Sequence, residues 1–326
     1  MQLNPSKKPA YQDEQLRSCK DLFGEKSIIQ IEEILKPEKQ RNKRPPRFTL
    51  VEGNAGIGKT TFITQVCNLW SNGLWEASTL KWVFKITLRN LIQDNFYQYP
   101  HKVYQLQDIV YHECFGHLSY SQFEQLWQNV IDPLPNAEKL LVIDGYDEAA
   151  VISSNESHPL YRALQELLLG NIPVLLTSRP YSIHGLPSDR RNLEIIGFAN
   201  EDIKIYVQQF FQSLGQGKSN LLQERGEQLL EFLHNHPSLW ETARIPITLN
   251  LICGIYQDIN QPFVRDMTMT QLYQGIEKIT GSCLSKEPHH PSLRDMTSNE
   301  MEEALRTEYA SAIAFRTLGF SWFTAK

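Results

Sequence analysis

The stretch FTLVEGNAGIGKTT, residues 48–61, decides the fold of this chain. Its first four residues are apolar or β-branched and predict a short buried strand. The motif G-x-x-x-x-G-K-[ST] follows and is satisfied at every constrained position. Its residues are Gly53, Asn54, Ala55, Gly56, Ile57, Gly58, Lys59 and Thr60. Glycines let such a loop turn its backbone N–H groups inward, so the motif predicts a site for phosphate groups.

Two side chains of the motif carry its chemistry. Lys59 supplies a positive charge for the outer phosphates, and the Thr60 hydroxyl is a ligand for Mg²⁺. From Thr61 onward, apolar residues recur at 62/63, 66/67 and 69/70, which predicts a helix. The N-terminus of a helix favours anions, so strand, loop and helix occur in the order that a phosphate site requires.

Acidic and basic side chains follow two later apolar runs. KLLVID ends at Asp144, where it can hold Mg²⁺ through water opposite Thr60. Asp147 and Glu148 follow on the same turn, and we expect one of them to polarise the water that attacks a terminal phosphate. VLLTS ends just before Arg179, which predicts an arginine near that phosphate. The alternative for Arg179 is a surface arginine before a proline turn.

The order of apolar runs predicts an α/β fold. Strands separated by helical segments over residues 48–198 indicate a parallel sheet covered by helices. From Ala199 onward the pattern is helical, with Pro246 just before a helix over Ile247 to Asp258. Before residue 48 we expect helices over Leu16 to Phe23 and Ile28 to Leu35, then a basic linker. The predicted domains are 1–47, the helical segment and linker; 48–198, the nucleotide-binding domain; 199–282, the helical domain; and 283–326, a linker and partial winged-helix region.

Composition excludes several classes of function. The 326 residues carry a formal net charge of -5 and 41% hydrophobic residues, typical of a soluble globular protein. The longest apolar runs are too short to span a bilayer, and the N-terminus lacks the apolar core of a signal peptide. We therefore expect a cytoplasmic protein that binds no membrane. Its scattered cysteines are expected to be reduced core thiols.

Two further patterns have a structural interpretation that we prefer. The basic run KPEKQRNKRPPR, residues 36–47, lacks aromatic residues that stack on bases, so we expect a solvated linker and no nucleic-acid binding. His112, Glu113, Cys114 and His117 resemble metal ligands, but their spacing fits no zinc pattern.

With these motifs in view, the chain resembles the NACHT branch of the signal-transducing STAND P-loop ATPases, which includes animal inflammasome receptors and bacterial defence proteins. The resemblance runs from about Phe48 to Phe315. Its matching blocks are GNAGIGKTTF (53–62), VFKITLRNL (83–91), LLVIDGYDEA (140–149), VLLTSRP (174–180), IIGFANEDIKIYVQQFF (195–211) and ARIPITLNLIC (243–253). Gly145 after Asp144, with acids at 147 and 148, is typical of this branch.

The resemblance implies a role for each matching residue. Lys59 would grip the outer phosphates, Thr60 and Asp144 would hold Mg²⁺, and Asp147 or Glu148 would support hydrolysis. Arg179 matches the arginine that senses the terminal phosphate.

Pro246 matches a proline that packs on the adenine base. The resemblance also implies a closed state with ADP and exchange of ADP for ATP after an unidentified protein or ligand trigger. In the ATP state the chain would self-associate, and slow hydrolysis would act as a timer.

The chain also departs from the family pattern. It ends at Lys326, just after an apparent first winged-helix element, and the histidine of that domain cannot be assigned, which leads us to expect a piece of a longer protein. Besides a switching ATPase, the sequence leaves open a non-hydrolysing scaffold whose domains a nucleotide holds together. It also leaves open a remodelling motor of the AAA+ class and a nucleotide kinase, for which we find neither pore-loop aromatics nor a basic lid.

Overall fold

The structure is a computed structural model that describes residues 27–29, 31–34, 46–73, 80–93, 104–153, 155–214, 219–257 and 323–325. Residue contacts divide the chain into two units. The sheet unit comprises Ser27–Asn54, Gly58–Ile196 and Ser321–Lys326, and the helical unit comprises Met1–Lys26, Ala55–Ile57 and Gly197–Phe320. The predicted helix over Leu16 to Phe23 and most of the predicted linker and winged-helix region, 283–326, lie outside the described residues.

The sheet unit is built on a sheet of seven strands. They are β1 (Ser27–Ile29), β2 (Phe48–Glu52), β3 (Trp82–Thr87), β4 (Lys139–Asp144), β5 (Val174–Ser178), β6 (Arg191–Ile195) and β7 (Phe323–Ala325). Their order is β1-β7-β6-β2-β5-β4-β3. The strands from β6 to β3 are parallel, whereas β7 pairs antiparallel with both β6 and β1. The predicted parallel sheet with flanking helices is confirmed.

Register brings the carboxyl ends of the parallel strands to one edge. Glu52 pairs with Ser178, and Thr87 pairs with Asp144. Because β2, β4 and β5 are buried along their whole length, they read as continuous apolar runs in the sequence. The loops that leave β2, β3, β4 and β5 therefore start next to one another.

Six α-helices lie in the described part of the sheet unit. They are α1 (Lys59–Ser71), α2 (Leu88–Gln93), α3 (Leu106–Cys114), α4 (Tyr120–Leu126), α5 (Tyr146–Ser153) and α6 (Tyr161–Leu169). A π-helical turn, Trp127–Ile131, continues α4. Aromatic side chains join α3 and α4 to the sheet: the Phe84 ring of β3 lies 6.4 Å from Phe115 and 6.2 Å from Trp127.

One sequence expectation about the start of the chain is wrong. Instead of a helix over Ile28 to Leu35, the structure has strand β1 and a single 3₁₀ turn, Ile31–Glu33. Tertiary pairing overrides the helical pattern here, because β1 is hydrogen-bonded to β7, more than 290 residues later in the chain.

The helical unit contains four described helices. They are α7 (Asn200–Ser213), α8 (Ser219–His234), α9 (Pro237–Ala243) and α10 (Pro246–Tyr256). Gly197 has φ +78°, and a Cβ there would lie 2.4 Å from the Arg244 carbonyl oxygen, so any other residue would clash. The Phe198 N–H donates to that carbonyl at 2.8 Å. This contact fixes the segment that leads into α10.

Three cysteines lie in the described part of the chain, and all three are free thiols: Cys67, Cys114 and Cys253. Burial raises the pKa of each thiol. For Cys114, burial and the neighbouring Glu113 carboxylate together raise the pKa to about 12. Within the described residues, no helix combines the length and the apolar character that crossing a membrane requires.

Truncating the aromatic centre of the sheet unit tests its core. Phe84 is buried at 1% exposure, so Phe84→Ala should lower the free energy of unfolding by about 3–5 kcal/mol. Leu169, on α6 of the same unit, is 60% exposed, and Leu169→Ala should change that free energy by less than about 0.5 kcal/mol. Urea denaturation measures both, and equal losses would contradict this packing.

The raised pKa of Cys114 predicts slow alkylation. The thiolate is the reactive form, so moving the pKa from 9.0 to about 12 should slow iodoacetamide labelling of Cys114 at pH 8 by about a thousandfold relative to the unfolded chain. Because the folded pKa is raised, the neutral thiol contributes to the stability of the folded state below pH 9. This contribution is lost as pH rises from 9 toward the folded pKa of about 12. Mass spectrometry of labelled peptides gives the rates, and comparable folded and unfolded rates would refute the burial.

Candidate functional site

The glycine-rich loop joins β2 to α1. The Gly53 N–H donates to the Ser178 carbonyl at 3.1 Å, which ties the start of the loop to the end of β5. Gly56 and Gly58 have φ of +69° and +104°, conformations that favour glycine. Helix α1 begins at Lys59, and the N–H groups of a first helical turn have no carbonyl of their own helix to bond. The loop and helix therefore present N–H groups to an anion.

Lys59 is buried and bends back over this loop. Its ammonium donates to the Gly53 carbonyl at 2.8 Å and to the Asn54 carbonyl at 3.0 Å. These carbonyls compensate for burying the charge, which would otherwise be costly. A positive charge is thus held at the mouth of the loop. Thr60 is exposed and follows directly, and its carbonyl accepts a hydrogen bond from the Thr64 hydroxyl.

Asp144, the last residue of β4, is buried and held by the neighbouring strand. The Thr177 hydroxyl donates to Asp144 Oδ1 at 2.7 Å and accepts from the Gly145 N–H at 3.1 Å. Thr177 therefore fixes the orientation of the carboxylate. Sequence reasoning missed Thr177; the signal was a polar residue near the end of an otherwise aliphatic run.

Asp147 and Arg179 form an ion pair across the ends of β4 and β5. Arg179 Nε lies 3.0 Å from Asp147 Oδ2, and the Arg179 backbone N–H donates to Oδ1 at 3.3 Å. The Arg179 side chain is only 16% exposed, and the Asp147 side chain is only 9% exposed. Arg179 Nη1 also donates to the Tyr181 hydroxyl at 2.9 Å. The structure therefore brings together two residues that were predicted separately.

Glu148 is held by a second arginine. Arg89 Nε donates to Glu148 Oε2 at 2.9 Å and Arg89 Nη2 donates to Oε1 at 2.7 Å, a bidentate pair. Arg89 lies in α2, directly after β3. No local pattern in the segment VFKITLRNL predicts a role for Arg89, because its partner lies 59 positions away in the chain.

The turn after Asp144 depends on a glycine. Gly145 has φ +81°, and a Cβ on it would lie 3.4 Å from Glu148 Cδ. A side chain at 145 would therefore strain the backbone and crowd the Glu148 carboxylate. This explains why the position between Asp144 and the two later acids is occupied by glycine.

The predicted site residues fall into both units. Those in the sheet unit are Gly53, Asn54, Gly58, Lys59, Thr60, Thr61, Asp144, Asp147, Glu148 and Arg179. Ala55, Gly56 and Ile57, at the tip of the loop, belong to the helical unit, as does Pro246. Within that unit, a Cβ on Gly56 would lie 2.4 Å from Ile247 Cγ2 and 3.6 Å from Ile245 Cγ2. Pro246 is buried at the start of α10, between these two isoleucines.

The donors at the sheet edge fit Mg²⁺ better than a softer metal. Asp144 and Thr60 offer oxygen atoms, and Mg²⁺ is commonly held by one or two carboxylates together with water and substrate phosphates. Among the described residues, no group of three histidine, cysteine or acidic side chains is arranged to hold a metal. Glu113, in the segment that resembled metal ligands, accepts from the Thr87 N–H at 3.0 Å and pairs with His112 at 3.0 Å.

Known proteins are similar to this part of the chain. The family model described as the NACHT domain matches residues 47–214. NACHT, LRR and PYD domains-containing protein 12 of Mus musculus is 27% identical over 70% of this chain, and protein 10 of the same organism is 25% identical over 73%. The chain spans 21% and 32% of the length of these two relatives.

A solved structure is also similar, though more distantly. It is a signal transduction ATPase with numerous domains and a tetratricopeptide repeat sensor, from Pyrococcus horikoshii. Its TM-score is 0.34 at 16% identity, over 75% of this chain and 33% of that one. The family model, in contrast, covers more than half of the chain and includes every predicted site residue except Pro246. The chain belongs to the NACHT family of nucleotide-binding P-loop NTPase domains.

Proposed function

We propose that this chain is an ATP- and ADP-binding signalling ATPase whose bound nucleotide controls its conformation and self-association. The observation that carries the proposal is the set of charged side chains at one edge of the sheet: Lys59, Asp144, Asp147 and Arg179 follow three strands whose ends are in register. Ligands of parallel sheets bind at this edge. Similarity to NACHT, LRR and PYD domains-containing proteins supports a role in signalling.

Phosphate binding is assigned to the glycine-rich loop and α1. The N–H groups of the loop and of the first helical turn surround the inner phosphates, and Lys59 exchanges its loop carbonyls for the outer phosphate oxygens. Thr60 and Asp144 would hold Mg²⁺, with Thr177 keeping the Asp144 carboxylate in position. Mg²⁺, when bound, supplies charge neutralisation at the outer phosphates.

The reaction is slow hydrolysis of the terminal phosphoanhydride. A water molecule attacks the terminal phosphorus in line, its proton passes to the carboxylate of Asp147 or Glu148, and the bond from phosphorus to the bridging oxygen breaks to release ADP. Arg179 would contact the terminal phosphate and so report whether it is present. This role is supported by its position directly after β5 and by its guanidinium facing Asp147.

Nucleotide sensing would reach the helical unit through the tip of the loop. Gly56 packs against Ile245 and Ile247. A shift of the loop on nucleotide binding would therefore displace the segment that carries Pro246. We assign Pro246 to the adenine base. Exchange of ADP for ATP would then release surfaces for self-association, in response to a protein or ligand trigger that remains to be identified.

A second candidate function is favoured by the two ion pairs. Both candidate acceptors of the water proton are held by arginines. A chain in which these pairs never open would bind nucleotide without hydrolysing it and would serve as a nucleotide-held scaffold. We rank this below a switching ATPase because one of the pairs involves the proposed phosphate sensor itself.

Removing the Lys59 ammonium tests nucleotide binding. Lys59→Ala should weaken binding of ADP and of a non-hydrolysable ATP analogue by about 10- to 150-fold, since a hydrogen bond to a charged group contributes about 1.5–3 kcal/mol. Isothermal titration calorimetry in Mg²⁺ measures both affinities. Lys81→Ala is the matched control, because Lys81 is 59% exposed and pairs with Glu138. The proposal fails if wild-type protein binds neither nucleotide or if Lys59→Ala binds as wild type does.

Single removal of the two acids separates the ATPase from the scaffold. If one carboxylate accepts the proton of water, either Asp147→Ala or Glu148→Ala should lower the rate of phosphate release by about 10²–10⁴-fold. Single-turnover release of phosphate from labelled ATP is the measurement, with thermal denaturation to verify folding. A scaffold predicts that wild type and both variants release phosphate at the same background rate.

A further inference from the structure

The two consecutive acids after Asp144 are held by different arginines in different ways. Arg89 meets both Glu148 oxygens through two nitrogens, at 2.9 and 2.7 Å. Arg179 meets Asp147 Oδ2 through Nε at 3.0 Å, while Oδ1 accepts from the Arg179 backbone. Arg179 follows β5, the strand next to β2 and its glycine-rich loop, whereas Arg89 follows β3, two strands farther from that loop. The Asp147–Arg179 pair is therefore the one on the side of the proposed phosphates.

The surroundings of Arg179 also favour exchange. Arg179 Nη1 donates to the neutral hydroxyl of Tyr181, a residue that is 68% exposed. A phosphate group carries more negative charge than one carboxylate and offers several acceptor oxygens to the same fork of donors. A terminal phosphate that reached this guanidinium would thus compete directly with Asp147.

Of the two nucleotides, only the triphosphate carries a terminal phosphate that competes with Asp147 for Arg179. We propose that Asp147 determines triphosphate-versus-diphosphate specificity: its carboxylate holds Arg179 when no terminal phosphate is present and must be displaced when a triphosphate binds. The inference rests on the proposed function and deepens it. Opening the pair consumes part of the binding free energy of ATP but none of that of ADP, so the pair biases the chain toward the diphosphate.

Arg89 has a positioning role in this exchange. When Arg179 moves to the phosphate, the Asp147 carboxylate is released beside the site of attack, whereas Glu148 stays paired with Arg89. Asp147 is then the acceptor of the water proton, and Arg89 is a positioning residue that keeps Glu148 from replacing Asp147 as the partner of Arg179.

Relative affinity for the two nucleotides tests the inference. Calorimetry with Mg²⁺ gives the dissociation constants for ADP and for a non-hydrolysable ATP analogue, and their ratio measures the preference for triphosphate. Asp147→Asn should raise this preference about tenfold, because the neutral amide still accepts from the Arg179 backbone but no longer pairs with its guanidinium. Glu148→Gln should change it by less than about twofold, since Arg89 is not exchanged.

An Arg179→Ala background separates exchange from simple repulsion. If Asp147 acts by holding Arg179, its effect on the affinity ratio depends on Arg179 being present. In the Arg179→Ala background, Asp147→Asn should therefore change the ratio of ADP to ATP-analogue affinity by less than about twofold. An equal rise with and without Arg179 would overturn the inference, because it would show direct repulsion between Asp147 and the phosphate. No rise in the wild-type background would overturn it too.

The matched control removes one negative charge elsewhere in the sheet unit. Glu166→Gln breaks the exposed pair with Arg162 but can still accept from the Leu106 N–H, so its ratio should equal that of wild type. A wild type that binds neither nucleotide would refute the proposed function and this inference together. A wild type that binds both, with an Asp147→Asn ratio that does not change, would refute this inference alone.

Discussion

The register of the parallel strands is the constraint on which the candidate site depends. Because Glu52 pairs with Ser178 and Thr87 with Asp144, the loops after β2, β3, β4 and β5 begin at a common edge. A one-residue slip of any strand would turn its side chains to the opposite face and move its terminal residue away from that edge. The buried aliphatic runs prevent such a slip, so hydrophobic packing positions charged groups that could not assemble by themselves.

Burial then requires each of these charges to have a partner. Lys59 is compensated by two carbonyls of its own loop, Asp144 by the Thr177 hydroxyl, and the next two acids by arginines. These partners come from the loop itself, from the end of β5 and from the segment that follows β3. In the proposed function, Arg179 exchanges its carboxylate for a phosphate whereas Arg89 does not, and this difference connects the geometry of the sheet edge to the proposed switching. Nucleotide binding, in this account, is an exchange of ionic partners at a preformed edge.

The sequence predicted the parts of this arrangement that have a local signal. The glycine-rich loop, the α/β class and the strand that ends at Asp144 follow from spacing and apolar runs. Three features could not be predicted in this way. The Arg89–Glu148 pair joins residues 59 positions apart, Thr177 reaches Asp144 from another strand, and β1 exists through pairing with a strand near residue 325. Each depends on contacts that form only after the sheet is assembled, and the local pattern over Ile28 to Leu35 even favoured a helix.

The central claim is that the strand ends form one nucleotide site in which a terminal phosphate takes Arg179 from Asp147. A crystal structure of the protein with Mg²⁺ and a non-hydrolysable ATP analogue tests it most directly. The account predicts outer phosphates on Lys59, the terminal phosphate within hydrogen-bond distance of the Arg179 guanidinium, and Glu148 still paired with Arg89. An analogue bound away from the glycine-rich loop, or bound there with Arg179 still on Asp147, would contradict it.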